Sequence, residues 1–369
     1  MFKLYDVQYF LFWHKHSFRS YMKHALLLLL SACMAASRLH AQSAATVDHS
    51  PLDSIPTLMA RYHVPVMAVG IIEEGRIKTI RTYGNLRAYT PAPPNTLFNV
   101  ASLTKPVVTM VTLQLVSNGS WQLDEPLSHY WTDPDLQKDP RHHKLTTRLV
   151  LTHQTGFPNW RSSNPGNKLA FIKEPGDGTF GYSGEGFEYL RRALEAKFGR
   201  SLQQLADSLL FQPLKIKNTH FAWAPGMDTL LYAQPHGKTG ELLAMERNTD
   251  PNAADWLVTT IIDYTLFGAH VIGGGHLSPA LFQEMVTPVI KAGKSPLNEY
   301  MGLGWAVVPN MPGNEYMIMH TGHDPGVYTL IALYPKSKRG IVIFTNGDDG
   351  MKAIVKVAVG AFHLNIPAE

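Results

Sequence analysis

The sequence predicts an α+β fold: an antiparallel sheet flanked by helices from the two ends of the chain, with a mostly helical lobe inserted between its halves. Short runs with strand character cluster at 65–83 and again at 304–345, near opposite ends of the chain. The stretch between them carries helical periodicity instead. Helix signals lie outside both strand clusters, so each end supplies a helix to cover the sheet.

The elements follow in order. Residues 51–62 place Leu52, Ile55, Leu58 and Met59 at helical spacing. Runs 65–72 and 77–83 read as strands joined through Glu73-Glu74-Gly75, a hairpin. The strand-like Leu97-Phe98-Asn99-Val100 leads into Ser102-Leu103-Thr104-Lys105-Pro106. An apolar helix follows through Val107, Val108, Met110, Val111, Leu113, Leu115 and Val116 and stops at Asn118-Gly119. Further on, Leu190, Ala193, Leu194 and Phe198, then Leu202, Leu205, Leu209 and Leu210, mark helices. The returning strands are 304–308, 316–320, 328–334 and 340–345, and Asp348-Asp349 caps a last helix to about residue 364. A catalytic domain over 42–369 is expected, with an α/β lobe from about 50–125 and 250–369 and a helical lobe over about 126–249.

Composition narrows the function. The 369 residues are 45% hydrophobic, enough for a large core, and the formal net charge of +4 is scattered. No Lys/Arg block forms an electrostatic footprint, so no nucleic-acid partner is expected. Lys23-His24, the apolar 25–30 and a small-residue tract read as an export signal cleaved after Ala41, with Met22 a more natural start than Met1. No apolar run is long enough for a transmembrane span. A soluble secreted or periplasmic protein is expected. Leu30-Ser31-Ala32-Cys33 resembles a bacterial lipoprotein box, which leaves a lipid anchor at Cys33 as the alternative to an ordinary signal. Cys33 is the one cysteine of the chain, so a chain cleaved after Ala41 has no thiol for disulfides, nucleophilic catalysis or metal binding.

Ser102 and Lys105 stand three residues apart and so share a helix face. Pro106 is tolerated only in a helix's first turn, which puts Ser102 at or just before the N-terminus, at the positive end of the helix dipole. Ser20-Tyr21-Met22-Lys23 repeats the spacing without the strand before it or the buried helix after it. A serine hydroxyl needs a nearby base to attack, and a buried lysine is costly unless paired or used.

Several further segments, in order, carry a resemblance to a known family. They are Val64-Pro65 to Gly70, Thr96-Leu97-Phe98 into Ser102–Pro106, Leu123-Asp124-Glu125-Pro126-Leu127, and Leu151-Thr152-His153-Gln154-Thr155-Gly156. Phe180-Gly181-Tyr182-Ser183-Gly184, Gln212-Pro213-Leu214, Gly302-Leu303-Gly304-Trp305 and His320-Thr321-Gly322 complete the set. Together they resemble the serine β-lactamase and penicillin-binding protein superfamily, particularly the class C β-lactamase-related branch that also contains esterases and D-amino-acid peptidases. The resemblance implies a β-lactamase/transpeptidase-like fold and catalytic residues Ser102, Lys105 and Tyr182. Either Lys105 or Tyr182 takes the serine proton. His320, Thr321 and Gly322 form a strand wall of the cleft, and the backbone N–H groups of Ser102 and His323 hold the oxyanion.

Two positions depart from the pattern. Gly184 stands where the family's Tyr-x-Asn motif keeps asparagine, and His320 replaces the lysine of Lys-Thr-Gly, removing a fixed cation for a substrate carboxylate. Glu185 beside the gap reads as solvated. Other look-alikes are set aside. Lys238-Thr239-Gly240 and Tyr83-Gly84-Asn85 read as turns, and Tyr232 stands where a phosphate loop needs glycine. His142-His143 reads as a solvated loop and His153 as a hydrogen-bonded structural residue near the site; Trp160 and Trp305 either line the pocket or belong to the core. No metal or other cofactor is expected. The expectation is an exported serine hydrolase of an ester or small amide, weak or inactive on β-lactams. The alternatives are a D-specific peptidase or carboxypeptidase of cell-wall peptides, and an inactive binding module.

Overall fold

Among the described residues, nine antiparallel strands form the main sheet, and its order shows how distant parts of the chain meet. In the computed structural model, residues 51–293 and 297–362 are described. The export signal, the Met22 start, Ser20–Lys23, Cys33 and the end of the last helix at residue 364 lie outside them. The chain divides into Met1–Asp53 and Ser54–Glu369, and the second unit holds all the elements below.

Helix α1 (Ile55–Arg61) precedes strands β1 (Val66–Glu73) and β2 (Arg76–Arg87). Their turn has φ of +52° at Glu74 and +74° at Gly75, the positive pair that a tight hairpin matched to strand twist requires. Strand β3 (Thr90–Pro91) edges β2, and β4 (Leu97–Asn99) leads to helix α2 (Thr104–Ser117). Helices α3 (Thr147–Leu151), α4 (Gly184–Phe198) and α5 (Leu202–Ala206) follow. Strand β5 (Val258–Thr260) pairs with β4, apart from the main sheet, and runs into α6 (Ile261–Ile272) and then α7 (Pro279–Met285). Strands β6 (Ile290–Lys291), β7 (Tyr300–Met301), β8 (Ala306–Met311), β9 (Glu315–Asp324), β10 (Val327–Tyr334) and β11 (Arg339–Thr345) complete the sheet before α8 (Gly350–Phe362). The order is β3-β2-β1-β11-β10-β9-β8-β7-β6, so β1 from the start of the domain pairs with β11 from its end, with Met67 opposite Thr345. This is the antiparallel α+β architecture expected, assembled from both ends around a helical stretch.

Helix α2 is buried from Thr104 to Leu115, which explains why apolar residues lie all round its axis. Helix α6 lies on β1 so closely that a Cβ at Gly70 would overlap the Thr265 side chain. Glycine here serves close approach between helix and strand.

Two readings are corrected. Tyr83-Gly84-Asn85 is part of β2 rather than a turn: the Pro65 carbonyl occupies the space a Cβ at Gly84 would need, and Gly84 bends through φ +86° within the strand. His142 is buried, not solvated, because the turn Pro140–Lys144 folds back so that its Nδ1–H donates to the Leu136 carbonyl at 2.9 Å. Only His143 reaches outward, 3.2 Å from Ser128 Oγ. The Lys238-Thr239-Gly240 segment is the turn expected, closed by Gly237 N–H on the Glu241 carbonyl at 2.8 Å with Gly240 at φ +85°.

Candidate active site

Ser102 stands on a one-turn 3-10 segment, Ala101–Leu103, wedged between β4 and α2. Ala101 has φ +49°, a left-handed conformation that an alanine adopts only when its surroundings impose it. Those surroundings are identifiable. Asn99 Oδ1 accepts the Ala101 N–H at 2.9 Å, and Thr104 Oγ1 donates to the Ala101 carbonyl at 2.7 Å while accepting the Leu257 N–H from the β5 side at 3.0 Å. Thr329 Oγ1 of β10 donates to the Val100 carbonyl at 2.9 Å, and Tyr264 of α6 donates to the Leu103 carbonyl at 2.6 Å. Four elements thus hold the turn that carries the serine.

Lys105 Nζ lies 3.0 Å from Ser102 Oγ and 2.7 Å from the Ala254 carbonyl, and the side chain is fully buried. Its ammonium also sits 4.7 Å from the centre of the Tyr182 ring. Ser102, Tyr182, His320, Thr321 and His323 line one cleft of about 400 Å³, joined there by Asn159, Phe180, Glu299, Met301 and Met319. Among its described lining residues there is no lysine or arginine.

Strand β9 supplies the far wall. A Cβ at Gly322 would overlap Thr329 Oγ1 and the Val100 carbonyl, so glycine is what lets β9 pass directly against the Ser102 turn. His320 is buried, and its Nδ1–H donates to the Thr321 carbonyl at 2.8 Å, leaving Nε2 as an acceptor. Burial first, then the neighbouring Lys105 charge, push its pKa down to about 3. His320 is therefore neutral at ordinary pH and does not replace the missing cation.

Gly184 opens helix α4 and does not face open space. A Cβ there would lie 2.6–2.8 Å from three carbons of the Trp160 indole. The indole fills the room that an asparagine at 184 would need. Gly184 N–H instead donates to Asn159 Oδ1 at 2.9 Å, which orients that cleft-lining amide. Trp305, by contrast, is wholly buried and belongs to the core.

Glu185 corrects its solvated reading. It is buried in the first turn of α4, where it accepts the Arg161 backbone N–H at 2.9 Å and the Arg161 guanidinium at 2.9 and 3.0 Å. Arg161 also bridges to buried Asp133 at 2.9 Å.

Sequence reasoning missed several neighbours. The Ala254 carbonyl holds Lys105 through a backbone atom, which no residue type advertises. Asp255 and Asp324 interact closely; burial, then the neighbouring Asp324 charge, raise Asp255 well above the ordinary carboxylate range, and burial raises Asp324 too. Asn99 Nδ2 donates to Asp324 Oδ2 at 2.7 Å, tying this pair to the Ser102 turn. No group of three potential metal ligands occurs among the described residues, and no described helix is long and apolar enough to cross a membrane.

An antiparallel sheet with the SxxK serine and lysine in hydrogen-bond contact at one end defines a protein of the β-lactamase/transpeptidase type. Residues 53–361 match the model of the β-lactamase family, and the chain belongs to that family. The D-alanyl-D-alanine-carboxypeptidase/endopeptidase AmpH of Escherichia coli (strain K12) is 22% identical over 388 residues, covering 94% of this chain and 100% of that protein. Among solved structures, the D-amino acid amidase from Ochrobactrum anthropi SV3 has a TM-score of 0.71 at 19% identity, over 85% of this chain and 98% of its own. The D-alanine carboxypeptidase AmpC from Burkholderia cenocepacia has 0.70 at 22% identity, over 85% and 97%.

Proposed function

We propose that this serine hydrolase cleaves an ester or small amide through an acyl-enzyme on Ser102, with β-lactam hydrolysis weak or absent. The observation that carries the reading is the 3.0 Å contact between Ser102 Oγ and the fully buried Lys105 Nζ. Once it has given up its own proton, Lys105 accepts the hydroxyl proton while Oγ attacks the carbonyl carbon. The oxyanion that forms is held by the backbone N–H groups of Ser102 and His323. Tyr182, beside the lysine, passes the proton to the departing alkoxide or amine. Water then attacks the acyl-enzyme and Ser102 is released.

The preference against β-lactams rests on Gly184 under Trp160 and on a neutral His320. Among the described lining residues, neither the motif's asparagine at position 184 nor a fixed cation is there for a lactam's amide and carboxylate. A D-specific carboxypeptidase is the second reading, favoured by the full-length similarity to AmpH. Export through the leader at 1–41, to the periplasm or beyond, is part of the proposal; intact mass and N-terminal sequencing of the secreted protein distinguish cleavage after Ala41 from a lipid on Cys33.

The test compares a short-chain nitrophenyl ester, a chromogenic cephalosporin and a D-Ala-D-Ala peptide, each with wild type and Ser102→Ala. Ester turnover lost in the variant, with the cephalosporin intact, is expected. Cephalosporin turnover as fast as the ester's refutes the substrate preference. Failure of a fluorophosphonate to label Ser102 would favour an inactive binding module instead.

A further inference from the structure

His153 is placed in a way that catalysis as described does not use. It follows α3 in a left-handed conformation, φ +54°, and its side chain is buried. Both its backbone and its ring reach the same three residues. The His153 carbonyl accepts the Gly181 N–H at 2.9 Å, and His153 Nδ1 accepts the Ser183 N–H at 3.1 Å. These bonds bracket Tyr182 on either side. The imidazole also packs on the phenol, with ring centres 4.4 Å apart, and Phe180 and Phe187 close round it at 5.8 and 5.5 Å.

The bond pattern fixes the tautomer. An Nδ1 that accepts carries no proton, so the neutral ring is protonated at Nε2, and Nε2 is buried without a hydrogen-bond partner among the described residues. An unsatisfied buried donor costs stability and calls for an explanation. Protonating Nδ1 would set two donors face to face and open the bracket. Burial, with Lys105 and His320 nearby, keeps the ring neutral.

We propose that His153 is a positioning residue for Tyr182: its carbonyl and Nδ1 clamp Gly181 and Ser183 so that the phenol stays in place to protonate the leaving group. This inference rests on the acyl-enzyme reading above and on the relay assigned there to Tyr182. The side-chain half of the clamp is an acceptor two bonds from Cβ. Asparagine Oδ1 occupies that position, and asparagine tolerates left-handed backbone. Glutamine places its amide one atom further out, and leucine has no acceptor.

The experiment uses two esters of one acyl group, nitrophenyl and ethyl. Nitrophenolate leaves without a proton; ethoxide needs one. Wild type, His153→Asn, His153→Gln, His153→Leu and Tyr182→Phe are compared, with rates normalised to Ser102 sites titrated by a fluorophosphonate. The titration removes misfolded protein from the comparison. His153→Gln and His153→Leu are expected to lose about 10–100-fold in kcat on the ethyl ester, with KM little changed and the nitrophenyl ester affected less than about 3-fold, on the scale of an impaired proton transfer. His153→Asn is expected to recover most of the ethyl-ester rate. Equal losses on both esters, or an asparagine variant as poor as the glutamine one, overturn the inference while Tyr182→Phe still separates the esters. If Tyr182→Phe itself fails to separate them, the relay reading falls and the inference with it.

Discussion

Gly184→Ala is the sharpest test of how this cleft differs from its relatives. Alanine in place of glycine in a helix ordinarily stabilises by about 0.5–1 kcal/mol. Gly184 has no positive φ to forbid the change, so backbone strain does not enter. Its added methyl would, however, come within 2.6–2.8 Å of Trp160, well inside ordinary carbon contact, and overpacking of this kind typically costs about 1–3 kcal/mol. The overlap outweighs the helix gain, and a net destabilisation of about 1–2 kcal/mol is expected. In a Trp160→Ala background the obstruction is gone and the same substitution should stabilise by about 0.5–1 kcal/mol. The double-mutant cycle therefore has a coupling energy of about 1–3 kcal/mol, equal to the overlap alone. Urea unfolding of the four proteins measures it. If the Gly184 effect is the same in both backgrounds, the indole does not occupy the asparagine site, and the structural reason for the proposed weak lactam recognition is lost.

Three other predictions follow. Lys105→Met should lower kcat/KM on the nitrophenyl ester by about 10²–10⁴ and slow fluorophosphonate labelling in parallel, because Ser102 loses its proposed base; unchanged labelling would point to Tyr182 as the base. His320 titrates near 3 in the fold and near 6.5 when unfolded, so below about 6.5 the unfolded chain takes up a proton that the fold refuses. His320→Gln should accordingly gain on wild type by up to about 2 kcal/mol as urea unfolding is moved from pH 7 to pH 5, and a constant difference refutes a buried neutral ring. Arg161→Met strands the buried carboxylates of Glu185 and Asp133, and should destabilise by about 3–5 kcal/mol with partial recovery on adding Glu185→Gln; a loss under 1 kcal/mol in urea unfolding would mean that the pair is effectively solvated.

Local features were the legible part of this chain. The Ser102–Lys105 spacing, the Pro106 mark and the sheet from both ends are written in neighbouring residues or in alternation, which backbone geometry obeys directly. Helix α6 was not singled out, since Ile261, Ile262, Phe267 and Val271 surround its axis and leave no polar face to reveal a period. Glu185 and His142 went unrecognised as buried groups for a related reason. A charged or polar residue turns inward when a partner compensates it, and Arg161 and the Leu136 carbonyl are partners only in three dimensions. The Asp255–Asp324 contact and the Ala254 carbonyl are invisible in the same way: one needs β9 to pass the end of β5, and the other is a backbone atom.

The pairing of β1 with β11 has a consequence for how this protein comes into being. Strand β1 is made early, but the edge that receives β11 stays open until nearly the whole chain has been synthesised. Contacts so distant in sequence close slowly, and an unpaired apolar strand invites association with other chains while it waits. The serine turn is in the same position: Thr329 and Gly322, which brace it, arrive on the late strands. Chemical competence is therefore a late event in the life of each molecule, and a chain truncated before Thr345 would be both inert and sticky. On the proposed export route, an order of assembly that leaves the Ser102 turn unbuilt until the end also keeps it from acting on the way.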